Sequence, residues 1–396
     1  MKLMIVLSRF PYPLEKGDKL RAFYQIKELS KTNEIALCCF THSWVNNKYL
    51  KELRPYCADI KIIKLSWFRT IVNLLLAYRS EMPFQVAYFY QKKAQYEFDD
   101  YVIQHLPKHI FCQLVRIAKY TEKYTVFPKT LDYMDALSKG VERRVEKAPF
   151  YLKALLKKEA DRLKSYEARL FDWFDVKTII SEQDKELIDH PEKKQIKVIR
   201  NGVNMDFFRP NSSQEKEYDV VFTGNMAYPP NVDGAEFLVK DILPIVQQEI
   251  PDVKIIIAGA TPTKKVKELK SNNVKVTGWV ADIRESYASS KVFIAPMRIG
   301  TGLQNKLLEA MAMEIPCVTT SLANNALGAS DKTNILIGNT AAELAAAIIF
   351  LLKDNVMNDQ IAQAGHSYVA QNFDWLTFCD QLNFEMKESS QHPIAK

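Results

Sequence analysis

The stretch KVFIAPMRIGTGLQNKLLEAMAMEIPCVTT, residues 291–320, decides how the rest of the chain is read. It reads as an apolar strand over 292–295, a loop bracketed by Gly300 and Gly302, a helix over 303–313 and a second apolar strand over 317–320. Parallel strands need such a crossover, and strands covered on both faces read as short continuous apolar runs. The glycine loop opens directly into the helix, where backbone N–H groups and the positive end of the helix dipole suit an anion such as phosphate. Two glycines that merely turn the chain would read the same way, because Gly300-Thr301-Gly302 is not GxGxxG.

Outward from this stretch the same alternation continues. Strands are expected at 219–223, 253–258, 274–277 and 335–337, with helices near 232–248, 263–270 and 282–290. The first half repeats the pattern with a strand at 3–7, a helix at 19–30, strands at 35–39 and 60–64, a long amphipathic helix over 151–173 and a short strand at 178–180. At 396 residues the chain exceeds what one hydrophobic core serves, which is roughly 250–300 residues. The expected class is α/β, with domains at 1–190 and 191–372 and a C-terminal helix over 373–396. The polar segment near 189–197 reads as the linker. The apolar stripe Trp375, Phe378, Leu382 and Met386 suits either a helix that crosses back to the first domain or one that caps its own. Two such domains would face each other across a cleft at the carboxyl edges of their sheets, where ligands bind.

Composition narrows the function. Hydrophobic residues at 47% and charged ones at 26% exclude a disordered or collagen-like chain. The net charge of +7, from 54 basic and 47 acidic residues, is too small for a dedicated nucleic-acid binder and suits an anionic small ligand or a membrane surface. Six cysteines without CxxC spacing indicate neither a zinc site nor a redox pair, and fit a reducing cytoplasm. MKLMIVLSRF reads as a first strand rather than a signal peptide, and no apolar stretch approaches the roughly 18–20 residues of a membrane span. The segment from Trp67 to Arg79 has an apolar middle that either rests at an interface or is buried in the first domain.

Side chains around the glycine loop sharpen the reading. Arg298 precedes it, Lys306 lies on the first helical turn, and Glu309 follows three residues later on the same face. Two cations can neutralise a diphosphate, and the carboxylate can accept hydrogen bonds from a ribose diol. A plain Lys306–Glu309 surface pair is the alternative. In the first half, PLEKGDKLR places Gly17 where backbone can approach a ligand and Arg21 near a helix start, with capping by Asp18 an equal reading. LDYMDALSKG holds Asp132, Asp135 and Ser138 after a plausible strand, and Asp135 can orient or deprotonate a hydroxyl unless it only shapes a turn. The six histidines read as surface or packing residues.

Residues 291–320, with PYPLEKGDKLR, VIRNGVNMDFFRP, VVFTGNMAYPPNVDG, IIIAGA and VTGWVADI along most of the chain, resemble family 4 retaining glycosyltransferases of the GT-B fold, most closely the bacterial polysaccharide-biosynthesis branch. The resemblance implies two Rossmann-like domains and a nucleotide-diphosphate sugar donor, with no metal and no other cofactor. Glu309 would then be the second glutamate of the family's E-x7-E pattern and bind the nucleotide ribose. The first falls on Thr301, a departure that removes a carboxylate facing the donor sugar. Backbone at Gly302, Leu303 and Gln304 would still address the diphosphate and sugar hydroxyls. After Gly224 the family often has Arg and, five residues on, Lys; this chain has Asn225 and Pro230, so Arg298 and Lys306 are the expected substitutes.

The expected reaction is transfer of a sugar, with retention, to an acceptor hydroxyl in exopolysaccharide, capsule or other surface-glycan synthesis. The acceptor is a glycan or lipid-linked glycan at the inner membrane face, and no nucleic acid is involved. Asp135, Arg298 and Lys306 are the expected catalytic groups. Two other readings use the same architecture: an inactive nucleotide-sugar-binding partner of a synthase, kept open by Thr301 and Asn225, and a nucleotide-sugar epimerase, which the histidine placement disfavours.

Overall fold

Lys2–Leu7 (β1) and Glu34–Thr41 (β2) are buried along nearly their whole length and pair in parallel, Leu3 opposite Ile35 and Leu7 opposite Cys39. Strands so apolar on both sides can sit only inside a sheet covered on two faces. The computed structural model describes residues 1–211, 213–300 and 302–391, and these divide into two units.

The first unit comprises Met1–Arg200 and the described residues from Trp375 onward. Its sheet adds β3 (Asp59–Lys64), β4 (His109–Gln113), β5 (Lys129–Asp132), β6 (Val176–Ile179) and β7 (Lys197–Val198), in the order β3-β2-β1-β4-β5-β6-β7, every pair parallel. Three helices matter below: α1 (Gly17–Leu29), α2 (Trp67–Tyr78) and α3 (Phe150–Trp173).

The C-terminal helix Trp375–Gln391 belongs to this unit. Trp375 stacks on Tyr24 of α1 at 5.1 Å, and Leu382 and Met386 join the core around Leu3, Ile5 and Leu7. Of the two sequence readings, crossing back is the one observed. The chain divides after Arg200 and again after Asp374, against expected boundaries near 190 and 372. The polar segment near 189–197 is not a linker, because Lys197 pairs with Thr178 as an edge strand, where one side needs no apolar cover.

The second unit, Asn201–Asp374, holds β8 (Tyr218–Thr223), β9 (Ile255–Ala258), β10 (Val274–Gly278), β11 (Ser290–Ala295), β12 (Cys317–Thr319) and β13 (Leu336–Ile337). Their order is β10-β9-β8-β11-β12-β13, again all parallel. Helix α4 (Pro229–Phe237) runs through a wide turn at Leu238–Ile242 into Leu243–Glu249. Pro244 has no N–H to continue the regular ladder there, which accounts for the local widening. Helices α5 (Ile283–Ala288) and α6 (Asn305–Ala312) follow. From β8 the chain winds one way to β9 and β10, and from β11 the other way. The switch between β8 and β11 opens a crevice at their carboxyl ends.

Candidate functional site

Two glycines set the floor of that crevice. Gly224 follows β8 with φ of +148°, and Gly259 follows β9 with φ of +142°. A Cβ on Gly259 would lie 1.9 Å from the Gly224 carbonyl oxygen, and one on Gly224 would lie 2.6 Å from Asn231 Nδ2. Only glycine lets these backbones meet. The Gly224 N–H donates to Ala258 and the Met226 N–H to Ala260, so the two turns are pinned as one surface.

Lys306 reaches this surface from the first turn of α6. Its Nζ donates to Asn231 Oδ1 at 2.5 Å, lies 4.7 Å from the Phe222 ring centre and would be 3.1 Å from a Cβ on Gly224. Burial pushes its pKa down to about 7, with Glu309 pulling the other way. Asn231 in turn donates to the Asn225 carbonyl at 2.9 Å, and Asn225 Oδ1 accepts from Ala227 N and Thr261 Oγ1. Asn225 therefore shapes the turn. Lys306 brings a cation beside Gly224 from across the crevice, and Asn231 orients it.

Glu309 lies one turn further along α6. Its Oε2 accepts from Tyr287 Oη at 2.8 Å, and the same hydroxyl is 2.8 Å from Thr223 Oγ1 at the end of β8. Burial raises the Glu309 pKa, while Tyr287 and Lys306 oppose that rise. The N-terminus of α6 has no side-chain cap, since Gln304 Nε2 turns back to the Gly302 carbonyl. A helix start without a side-chain cap is an arrangement that suits an anion. Gly300 has φ of +97°, and space in front of Gly302 is open to 4 Å. Leu303 lies in the connection just before α6. Thr301 lies outside the described residues.

Arg298 is not brought to Lys306. Its guanidinium grips Asp233 of α4 at 2.9 and 3.1 Å and lies 4.3 Å from the Phe237 ring centre. This two-point carboxylate pair over an aromatic face commits Nε and Nη2 to α4, in place of the expected cation pair with Lys306. Asn231 and Tyr287 were not singled out from sequence. The only sequence signal for Asn231 is its place directly after Pro229-Pro230 at the start of α4; Tyr287 carried none, being aimed by α5 from a separate segment.

Residues 217–354 match the family described as Glycosyl transferases group 1. The chain is a glycosyltransferase. Over 393 residues the glycosyltransferase is 24% identical to an uncharacterized 44.6 kDa protein in the cps region of Klebsiella pneumoniae, covering 94% of this chain and 96% of that one. Its fold is that of GT-B glycosyltransferases. The sucrose-phosphate synthase of Thermosynechococcus elongatus superposes with a TM-score of 0.70 at 14% identity, over 98% of this chain and 99% of that one. Anabaena HepE, solved in complex with UDP-glucose, gives 0.69 at 14% identity, over 98% and 100%.

In the first unit of the glycosyltransferase, two expected site residues take other places. Arg21 is fully buried, its Nε donating to Asp132 Oδ2 at 2.6 Å and Nη1 to the Arg200 carbonyl. A charge removed from water this completely must be paired, and Asp132 meets it, so Arg21 is committed to holding α1 to β5. Asp18 does not cap α1; it pairs with Arg9 at 3.1 Å. Gly17 opens α1 exposed, with nothing within 4 Å of a Cβ. Asp135 follows β5 and keeps access to solvent, and partial desolvation, with the Asp184 carboxylate second, pushes its carboxyl up to about 6. Ser138 donates to Glu167 at 2.5 Å and serves packing.

Sequence reasoning missed a recess of about 720 Å3 in this unit, lined among others by Arg9, Lys19, His42, Trp67, Tyr88 and Arg116. His42, expected to be a surface or packing residue, faces it with its ring 4.3 Å from Trp67 and 4.7 Å from Tyr88. Burial lowers the His42 pKa, so the ring is neutral at pH 7. Arg116 Nε is buried with no hydrogen-bond partner among the described residues. Aromatic faces beside cations suit a sugar ring carrying an anionic group. No group of three or more His, Cys, Asp or Glu among the described residues could hold a metal ion.

Proposed function

We propose that this glycosyltransferase moves a sugar, with retention, from a nucleotide-diphosphate donor held by the second unit to an acceptor hydroxyl held by the first. The observation that carries the reading is Lys306, placed beside Gly224 at the mouth of the β8/β11 crevice with the uncapped start of α6 next to it. The donor's bond from anomeric carbon to diphosphate oxygen breaks, its electron pair staying with the diphosphate. The Lys306 ammonium and the first N–H groups of α6 stabilise that growing charge. Glu309, held by Tyr287, accepts from the ribose hydroxyls. The new bond forms from the acceptor oxygen, whose proton passes to a carboxylate; Asp135, with its raised pKa, is the candidate.

The HepE complex with UDP-glucose supports a nucleotide-sugar donor, and the cps-region relative supports surface-glycan synthesis. The aromatic and cationic recess supports an acceptor that bears an acidic or phosphate group. Lipid-linked delivery of that acceptor would place the enzyme at a membrane surface; no helix among the described residues is long and apolar enough to cross one.

The test is calorimetric titration with a panel of nucleotides, followed by donor hydrolysis assays on parent and Lys306→Ala. Binding of a nucleoside diphosphate with turnover lost in the variant is the expected result. Turnover unchanged in Lys306→Ala, or no nucleotide bound at all, would sink the proposal.

A further inference from the structure

Helix α2 is turned inside out relative to an ordinary surface helix. Its inner face carries Thr70, Asn73 and Ala77, at i, i+3 and i+7. Thr70 Oγ1 donates to the Tyr88 carbonyl, Asn73 Nδ2 donates to the Tyr90 carbonyl at 2.6 Å, and Thr70 and Ala77 are buried. The opposite face carries Phe68, Ile71, Leu75 and Leu76, which are 76, 57, 70 and 67% exposed. A helix whose outer face meets only water shows the reverse distribution, and a continuous apolar face on a surface marks an interaction site.

The first turns of α3 extend the same surface. Phe150, Tyr151, Leu152 and Leu155 are exposed there. The two helices are locked together within the first unit: Lys158 Nζ donates to the Tyr78 carbonyl at 3.0 Å and lies 5.0 Å from its ring centre, and Arg162 Nη1 donates to the Ala77 carbonyl at 2.9 Å. Charge identifies the partner. The segments 67–79 and 150–158 contain Arg69, Arg79, Lys153, Lys157 and Lys158 and no acidic residue. Such long side chains extend past apolar neighbours to reach anionic headgroups. A second copy of this chain would set the same cations against one another.

We infer that the first unit rests on an anionic lipid bilayer through the outer face of α2 and the first turns of α3. This gives the surface and lipid chemistry of the membrane contact in the reading above, and rests on that reading. Trp67 and Leu74 of the same helix line the recess, so the surface would bring that opening to the lipid.

The test is co-sedimentation of the full chain with vesicles of phosphatidylcholine alone and of phosphatidylcholine with phosphatidylglycerol. Partition is expected to be at least about tenfold stronger to the anionic vesicles and to weaken with salt. Leu75→Ser with Leu76→Ser is expected to lower it more than about tenfold, and Lys153→Gln with Lys157→Gln several-fold, while both variants bind nucleotide as the parent does. Absence of binding to anionic vesicles, equal binding to both compositions or variants that partition like the parent would overturn the inference. So would a dimer in sedimentation velocity that Leu75→Ser with Leu76→Ser dissociates. Nucleotide titration on the same preparations keeps the transfer reading separate, since it stands or falls without vesicles.

Discussion

Tyr287 and Glu309 form one unit: the phenol donates to the carboxylate at 2.8 Å and meets Thr223 at the same distance, so the end of β8, α5 and α6 converge on one oxygen pair. Burial raises the pKa of both groups, and the hydrogen bond between them gives each a partner in the buried site. If Glu309 binds the ribose, Tyr287 acts through it as a positioning residue.

Tyr287→Phe should weaken nucleotide binding by about 1–3 kcal/mol, and Glu309→Ala by a similar amount. The double variant should lose little more than either alone, because both changes remove the same interaction. Calorimetric titration of the three variants reads this directly. Strictly additive losses would show that Tyr287 supports only the fold.

Gly224, Gly259 and Gly302 should respond differently to alanine. Gly259→Ala places a methyl 1.9 Å from a backbone oxygen at φ of +142°, which no side-chain motion relieves. A loss of roughly 3 kcal/mol or more in chemical denaturation is expected. Gly224→Ala is strained at φ of +148° and also meets the Asn231 amide that holds Lys306, so both stability and nucleotide affinity should fall. Gly302→Ala faces open space and should leave stability within about 1 kcal/mol.

What could be read from sequence follows from how local each signal is. The strands of the second unit were legible because VVFT, IIIA and VFIA are uninterrupted apolar runs closed by glycine or proline. In the first unit, β4 was missed and β5 was only a plausible strand before LDYMD. Both carry polar residues satisfied only in the folded state: His109 bonds Ser390 and Thr130, and Lys129 Nζ bonds the Thr121 carbonyl. Residues 300–309 were legible as a site because loop and helix are contiguous. Asn231 and Tyr287 were not, since each reaches the crevice from a separate element. Arg298 was misread for the same reason: nothing in its own segment announces Asp233. The apolar middle of α2 was visible, but not which of the two readings held; its apolar side faces outward.

Arg21 and Asp132 offer a stability test. Both side chains have no solvent exposure, and Gln25, Thr178 and the Met134 N–H also converge on the carboxylate. Arg21→Met or Asp132→Asn alone should cost about 3–5 kcal/mol by leaving the partner uncompensated, whereas Arg21→Met with Asp132→Leu should recover much of that loss. Denaturant unfolding measures both. Nucleotide affinity should stay at the parent value in any variant that folds, and a specific loss of affinity would return Arg21 to the binding site.

Lys306 should make nucleotide binding proton-linked. Burial lowers its folded pKa from the ordinary 10.5 to about 7, so the unfolded chain binds the proton more tightly and this group's cost to stability fades as pH rises from about 7 to 10.5. Binding runs the other way. A diphosphate favours the ammonium, so above about pH 7 the site must take up a proton, and affinity should fall as pH rises. Titrations near pH 8 in two buffers of different ionisation enthalpy should report uptake approaching one proton, and near pH 6 almost none. Lys306→Gln should abolish the uptake and weaken binding at the lower pH, where the parent is charged. Uptake that survives the substitution would assign the proton, and the diphosphate charge, to another group.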